Sequence, residues 1–295
     1  PRTTVVGAYD QGTYAALERV ALHRPAAPHL PRECFWRIVA GQAILATGAL
    51  ERPIAFENND RPGIMLASAA LSYLNRFGVV PGKRAVIATN NDDAYKTAQA
   101  LKDAGAHIVA IIDARPAPAG AGSGFRVYNN AVPLSTKGAR HCLKSVTALV
   151  DDKTVSWDAD LLAVSGGFTP VVHLHMQAGG TLDWNEHAQA FVPATSRQNV
   201  TTIGGAADPQ AIFKMVPVSS PKKSFIDFQN DVTLADVDLA WAEGYRSVEH
   251  LKRYTTLGMA TDQGKTSNLV GLARLAKSEG RPVPSVGLTT FRPPY

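Results

Sequence analysis

The sequence predicts an α/β chain: part of a parallel-sheet architecture with a small antiparallel sheet against it, followed by a helical module. Three observations carry this. The stretch from Lys83 to Asp113 is a complete βαβ unit. Three other apolar runs end in small-residue turns, at Ala46-Thr47-Gly48, Ser165-Gly166-Gly167 and Gly204-Gly205-Ala206. The last stretch, about seventy residues, has helical periodicity and caps.

Composition narrows the function classes. A hydrophobic fraction of 45% supports packed cores, and 19% charged residues exclude a disordered chain. The net charge of +5 is spread thinly, with isolated pairs such as Lys222-Lys223 and Lys252-Arg253, so no basic stripe for nucleic acid is expected. Only Cys34 and Cys142 occur, with no C-x-x-C for a metal or a redox dithiol; a reducing, cytoplasmic home is expected. No apolar run reaches the roughly eighteen residues of a membrane span, and no membrane partner is expected. Pro1 to Val6 reads like the middle of a sheet and Thr290 to Tyr295 stops abruptly, which suggests a fragment of a longer polypeptide.

In chain order, Thr3 to Val6 and Glu18 to Leu22 are β-like, and Pro25-Ala26-Ala27-Pro28 marks an excursion between strands. Cys34 to Ala40 alternates as a strand. Ala43 to Ala46 reads as a buried strand delivered to a tight turn, where Gly48 lets the backbone approach a neighbour. After the polar loop from Glu57 to Gly63, a helix is expected from Leu66 to Phe77, with Leu66, Ala69, Ala70, Tyr73, Leu74 and Phe77 on one face and Gly78 as its C-cap.

In the βαβ unit, Ala85 to Ala88 is the first strand, Asp93 to Ala104 the helix and His107 to Ile112 the second strand. Asp113 stands at the tip, where a dinucleotide-binding unit contacts a ribose. The turn is the difficulty: Thr89, Asn91 and Ala94 stand where G-x-G-x-x-G/A is wanted. Two alternatives stay open for Asp92 and Asp93: they cap the helix, or the turn meets a modified nucleotide or a substrate.

Pro116 to Gly124 reads as a flexible connector. Strands are expected at Phe125 to Tyr128, Leu143 to Val150 and Leu161 to Ser165. His173 and His175 would share a face if extended, but no third ligand is near, so surface or core histidines are expected and no metal. Asn199 to Asp208 repeats the strand-to-small-residue turn, and Pro209 to Lys223 carries little pattern. Helices follow at Leu234 to Glu243 behind Thr233, at Val248 behind Ser247, and from Ser267 towards Ala276. Gly264-Lys265-Thr266 is not a phosphate loop: the preceding glycine, Gly258, is one residue too far and no strand precedes it.

The order of motifs resembles the two-dinucleotide-domain architecture of flavin-dependent disulfide reductases, in which the Ala-Thr-Gly turn and the final Gly-Asp strand belong to one domain and a second Rossmann unit is inserted between them. The wording is similar to that of the α subunits of heterotetrameric sarcosine oxidases. Leu45 to Pro53, Asn59 to Ala67, Thr89 to Tyr95, Ser165 to Pro170, Asp227 to Thr233 and Ser247 to Lys265 carry the match. Related opine oxidase subunits share much of it. The resemblance divides the chain into 1–65 and 181–215 as parts of the first dinucleotide-binding domain, 66–180 as the inserted domain, 224–280 as a helical module resembling bacterioferritin-associated ferredoxin, and 281–295 as a linker to a folate-binding domain. That module would hold a [2Fe–2S] cluster on cysteines. Here Asp227, Gln229 and Asp262 stand near those positions and the module has no Cys, so a cluster-free descendant is expected.

The resemblance implies a subunit of a complex that oxidatively demethylates sarcosine to glycine, yielding formaldehyde or methylenetetrahydrofolate and hydrogen peroxide. It implies a structural NAD in the α subunit, FMN at the interface with the β subunit, FAD on the β subunit, tetrahydrofolate on the downstream domain, and β, γ and δ partners. Carried onto this chain, Ala46, Thr47 and Gly48 would line one side of the dinucleotide and Gly205, Ala206 and Asp208 the other. Asn90 and Asn91 are placed near the nicotinamide end. No residue is expected to act as acid, base or nucleophile, and the upstream glycine-rich turn is expected outside this sequence. Alternatives are a free-standing NAD(P)H-dependent flavin reductase of the disulfide-reductase type and a non-catalytic subunit scaffold.

Overall fold

A computed structural model describes residues 2–22, 25, 28–117, 124–139, 142–210 and 222–287. Its first element is an antiparallel meander of β1 (Thr3–Tyr9), β2 (Thr13–Glu18) and β3 (Cys34–Val39). The predicted β-like run from Glu18 to Leu22 lies too late. The strand is the stretch before it, Thr13 to Glu18, placed by its register with β1, Val5 opposite Ala16 and Thr3 opposite Glu18. Strand formation here follows pairing and not side-chain propensity. On β3 both faces are apolar and open, with Phe35, Trp36, Ile38 and Val39 all exposed. Of the excursion from Pro25 to Pro28, Ala26 and Ala27 lie outside the described residues.

The short strands β4 (Ala43–Leu45) and β5 (Ala49–Glu51) flank the Thr47-Gly48 turn. After β6 (Ile64–Leu66) comes α1 (Ala67–Phe77), closed by Gly78 in the left-handed region, whose N–H donates to Leu74 O at 2.9 Å. The predicted helix face is rotated. Leu66 belongs to the strand, Ala67 and Ala70 are the buried positions, and Tyr73 and Phe77 are exposed. Small residues face the sheet because α1 must lie close to it.

The βαβ unit forms as expected, with β7 (Arg84–Thr89), α2 (Asp93–Asp103) and β8 (His107–Asp113), followed by β9 (Val127–Tyr128). Of the connector Pro116 to Gly124, residues 118–123 lie outside the described residues. Next is an antiparallel sheet of β10 (Ala131–Ala139), β11 (Cys142–Val150) and β12 (Lys153–Asp158). Only the middle strand has a pattern that stands by itself; β10 is broken by bulges near Pro133 and Gly138, and β12 is largely polar.

Strand β13 (Leu161–Ser165) then inserts between β6 and β7, giving the parallel order β6-β13-β7-β8-β9. The sheet is covered on both sides, as a parallel sheet requires. Val86, Ala88, Ile112, Leu162 and Val164 meet Leu143, Val146 and Trp157 of the antiparallel sheet. On the opposite face Ile87, Ile111, Leu161 and Ala163 meet Ala67 of α1 and Tyr95, Ala98 and Leu101 of α2.

The chain then returns to its starting region. Strand β14 (Phe168–Pro170) pairs with β5, α3 (His173–Gln177) follows, and β15 (Leu182–Asn185) pairs with β16 (Ala190–Pro193). Strand β17 (Val200–Thr202) runs parallel to β4, Thr201 opposite Ile44, and leads into a turn of 3-10 helix over Gly204–Ala206. Between Pro209 and Lys223, residues 211–221 lie outside the described residues.

The helical module opens with β18 (Phe225–Asp227) and β19 (Val232–Thr233) and continues as α4 (Leu234–Ala242), α5 (Val248–Thr255), α6 (Asn268–Glu279) and α7 (Val283–Val286). Thr233 caps α4 in a reciprocal box with Asp236, as its position predicts. Ile226, Val237, Leu251, Leu257, Leu272 and Leu275 form its core. On α5, Val248 and Leu251 are buried, while Tyr254 is exposed and stacked on Tyr245. Among the described residues no helix is long and apolar enough to cross a membrane.

Candidate dinucleotide wall and the polar network beside it

Two turns far apart in sequence end side by side because β4 and β17 are parallel neighbours. Ile203 N–H donates to Leu45 O at 2.9 Å, which brings the Gly204–Ala206 turn against the Thr47-Gly48 turn. A Cβ on Gly205 would lie 3.8 Å from the Cβ of Ala49. The Thr47 hydroxyl donates to Val171 O at 2.6 Å, and Val171 N–H donates to Gly48 O at 2.9 Å, so the first turn is also tied to the start of α3. Gly48 has φ +70° and Gly204 φ +66°, and a Cβ on either would meet nothing within 4 Å. Open space thus lies beside both turns, at the carboxyl end of a parallel pair, where α/β sheets place their ligands.

The predicted wall residues divide by exposure. Ala46, Gly205 and Asp208 are exposed, and Thr47 and Gly48 half-buried. Ala206 is fully buried. Asp208 N–H donates to Gly204 O at 2.9 Å, and the residue is exposed next to the turn. An open backbone of small residues with a carboxylate at its edge fits a nucleotide, whose ribose and phosphate need close backbone approach and a hydroxyl acceptor.

Asn90 and Asn91 lie in a buried network across the carboxyl ends of β7 and β13. They are 1% and 0% exposed. The Asn91 amide donates to Ser165 O at 3.2 Å and Ser165 Oγ at 3.0 Å, and the Asn90 amide to Gly166 O at 3.3 Å. Asn91 Oδ1 also accepts the Asp93 N–H at 3.1 Å, so an asparagine caps α2. Capping by the carboxylates, one of the two alternatives, does not occur: Asp92 pairs with Arg115 at 2.7 Å and Asp93 with Lys96 at 2.6 Å.

Two functional-looking residues escaped the sequence reading. Glu51, 6% exposed, accepts the Ser68 N–H at 2.7 Å and so caps α1, whose own N-cap is Leu66. Burial pushes the Glu51 carboxyl up, against hydrogen bonds from Ser165 and Ser68 that draw it down. Arg52, 7% exposed, donates to the carbonyls of Phe168 at 2.7 Å, Ala188 at 2.9 Å and Gln189 at 3.1 Å. Burial lowers its pKa to about 10. The visible signal was two adjacent charges between an apolar strand and Pro53.

His173 and His175 are helical, not extended, and both are buried. His175 lies 3.1 Å from Thr181 O through Nε2 and 3.2 Å from Thr202 Oγ1 through Nδ1, a core histidine joining α3 to β17. Among the described residues no group of three or more His, Cys, Asp or Glu could hold a metal ion. Asp227, Gln229 and Asp262 tie loops of the helical module. Asp227 accepts the N–H of Gly258 at 2.8 Å and of Gln229 at 3.0 Å, Gln229 accepts the N–H of Thr261 at 3.2 Å, and Asp262 accepts the Thr266 hydroxyl at 2.7 Å.

Residues 221–295 match the family model of the sarcosine oxidase A3 domain. The chain is 42% identical to the alpha subunit of sarcosine oxidase from Rhizobium meliloti (strain 1021), which matches all of this chain over 34% of its own length. It is 39% identical to the same subunit of Corynebacterium sp. (strain P-1), again across the whole chain and 36% of the relative. A subunit of the opine oxidase of Agrobacterium tumefaciens (strain Ach5) is 28% identical over 55% of this chain and 37% of its own. Among solved structures, L-proline dehydrogenase from P. horikoshii superimposes with a TM-score of 0.75 at 18% identity, over 99% of this chain and 62% of that one. Thioredoxin reductase of T. acidophilum gives 0.50 at 15% identity, over 70% and 66%. These likenesses show an α/β fold of the FAD- and NAD-dependent oxidoreductase kind. The chain spans about a third of the length of the curated relatives it matches, and with that identity along its whole length it belongs to the family of sarcosine oxidase α subunits.

Proposed function

We propose that this chain supplies one wall of a dinucleotide site in the α subunit of a sarcosine oxidase. The complex would oxidatively demethylate sarcosine, or a related secondary amine, in the cytoplasm, with β, γ and δ subunits as partners. Ala46, Thr47 and Gly48 form one side of the wall and Gly205 and Asp208 the other, with Ala206 buried. Asn90 and Asn91 hold the inserted unit's turn. Residues 1–65 and 181–215 act as one domain, 66–180 as an insertion, 224–280 as a helical module without a cluster, and 281–295 as the link to a folate-binding domain.

The observation that carries this reading is the parallel pairing of β4 with β17, which sets two open small-residue turns against each other. The dinucleotide, NAD in this reading, acts structurally and supplies no hydride. FMN at the β interface, tetrahydrofolate on the downstream domain and FAD on the β subunit would serve the chemistry of the complex. This chain's own residues bind and orient: Gly48 and Gly205 admit the backbone contact, and Asp208 accepts ribose hydroxyls.

Acid extraction and mass spectrometry of the full-length subunit in its complex provides the test. One dinucleotide per α chain is expected in the native protein, and a loss of at least tenfold in Gly48→Val and Gly205→Val. Native subunits with no dinucleotide, or valine variants that keep it, would overturn the assignment.

A further inference from the structure

We propose that the inserted β7-α2-β8 unit is a nucleotide site closed by its own side chains, with Arg115 standing in for the ligand. A loaded unit of this kind joins two points: the turn after its first strand, through the pyrophosphate, and the acidic tip of its second strand, through the ribose. Here Arg115 joins the same two points. Its Nη1 donates to Asp92 Oδ1 in the turn at 2.7 Å, while Nε and Nη2 donate to Asp113 Oδ1 and Oδ2 at the strand tip, at 3.0 and 2.8 Å.

The tip carboxylate has no capacity left for a ribose. Asp113 Oδ1 also accepts the Arg115 N–H at 2.9 Å, and Oδ2 accepts the Tyr95 hydroxyl at 2.8 Å. Asp113 is 0% exposed, and four donors occupy its acceptor sites. This distinguishes the cluster from a surface ion pair, whose partners exchange freely with water.

The turn is closed as well. The Thr89 hydroxyl accepts the Asn91 N–H at 3.1 Å and donates to Asn91 O at 3.0 Å, and Asn91 is anchored on Ser165. Thr89 and Asn91 are fully buried, so no glycine backbone is presented to a phosphate. Asp92 and Asp93 add negative charge at the start of α2. The unit therefore keeps the Rossmann shape without the ligand.

Hydrogen exchange on the full-length subunit in its complex tests both halves of this. Segments 89–96 and 107–116 are followed with and without NADH or NADPH at millimolar concentration. No added protection of either segment is expected in the native protein, whatever is bound at the Gly48 wall; protection of both segments by either nucleotide would overturn the closed site. In Arg115→Ala, exchange is expected to rise about tenfold in the turn and at the strand tip together, because the link between them is gone. An unchanged turn in Arg115→Ala, or in Arg115→Gln should the alanine variant not assemble, would overturn the stand-in role. The outcome at Gly48→Val does not bear on either result, so the wall can fail while this inference stands.

Discussion

Replacing His173 with leucine should flatten the acid limb of this protein's stability. His173 opens α3, is 7% exposed, and its Nδ1 is buried without a hydrogen-bond partner. Burial first, and then the Lys265 cation, lower its pKa from 6.5 to about 4. Between these values the unfolded chain binds more protons than the folded one. Stability from this group is therefore complete above about pH 6.5, falls as the pH drops, and levels off below about pH 4. Linkage between the two values gives a loss of ~2 kcal/mol on going from about pH 7.5 to about pH 5, approaching ~3 kcal/mol in stronger acid. At ~2–4 °C per kcal/mol, the gap in Tm between native protein and His173→Leu should change by ~4–8 °C between the two conditions. Any pH-independent packing effect of leucine cancels in that difference. Lys265→Met should shrink the native loss, since it removes the second cause. Thermal unfolding followed by near-UV circular dichroism provides the measurement. Parallel Tm-against-pH curves for native protein and His173→Leu would refute the reasoning.

Arg52→Met should cost about 2–4 kcal/mol in thermal or denaturant unfolding, because three buried carbonyls lose a charged donor even though burial of the charge is relieved; a change within about 0.5 kcal/mol would argue against it. Thr233→Ala removes one half of a reciprocal cap and should cost about 1 kcal/mol, read in the same experiment, with Thr233→Ser restoring most of it. Asp227→Ala should loosen the helical module around 256–267, where it holds the Gly258 N–H and lies 3.5 Å from the Ser267 hydroxyl; limited proteolysis there should speed up several-fold, and an unaltered digestion pattern would count against the role.

The sequence by itself determined what is local. The βαβ unit, the Gly78 cap and the Thr233 cap are written in short-range periodicity and in residue types with specific backbone preferences, and each was found in place. The Ala46-Thr47-Gly48 and Gly204-Gly205-Ala206 turns were also legible, because an apolar run ending in small residues is a local pattern. Tertiary structure decided what pairs with what. Strands β10 and β12 lack a pattern that stands by itself and exist through β11; β2 exists through β1; and α1 buries its alanines because the sheet beneath requires close approach. The same holds at the sites. Asp113 sits where a ribose carboxylate should, and only the fold shows Arg115 and Tyr95 filling it, just as only the fold shows Glu51 capping a helix begun sixteen residues later. A side chain's type is fixed by sequence, but whether its hydrogen-bonding capacity is free or already used depends on which groups the chain brings against it.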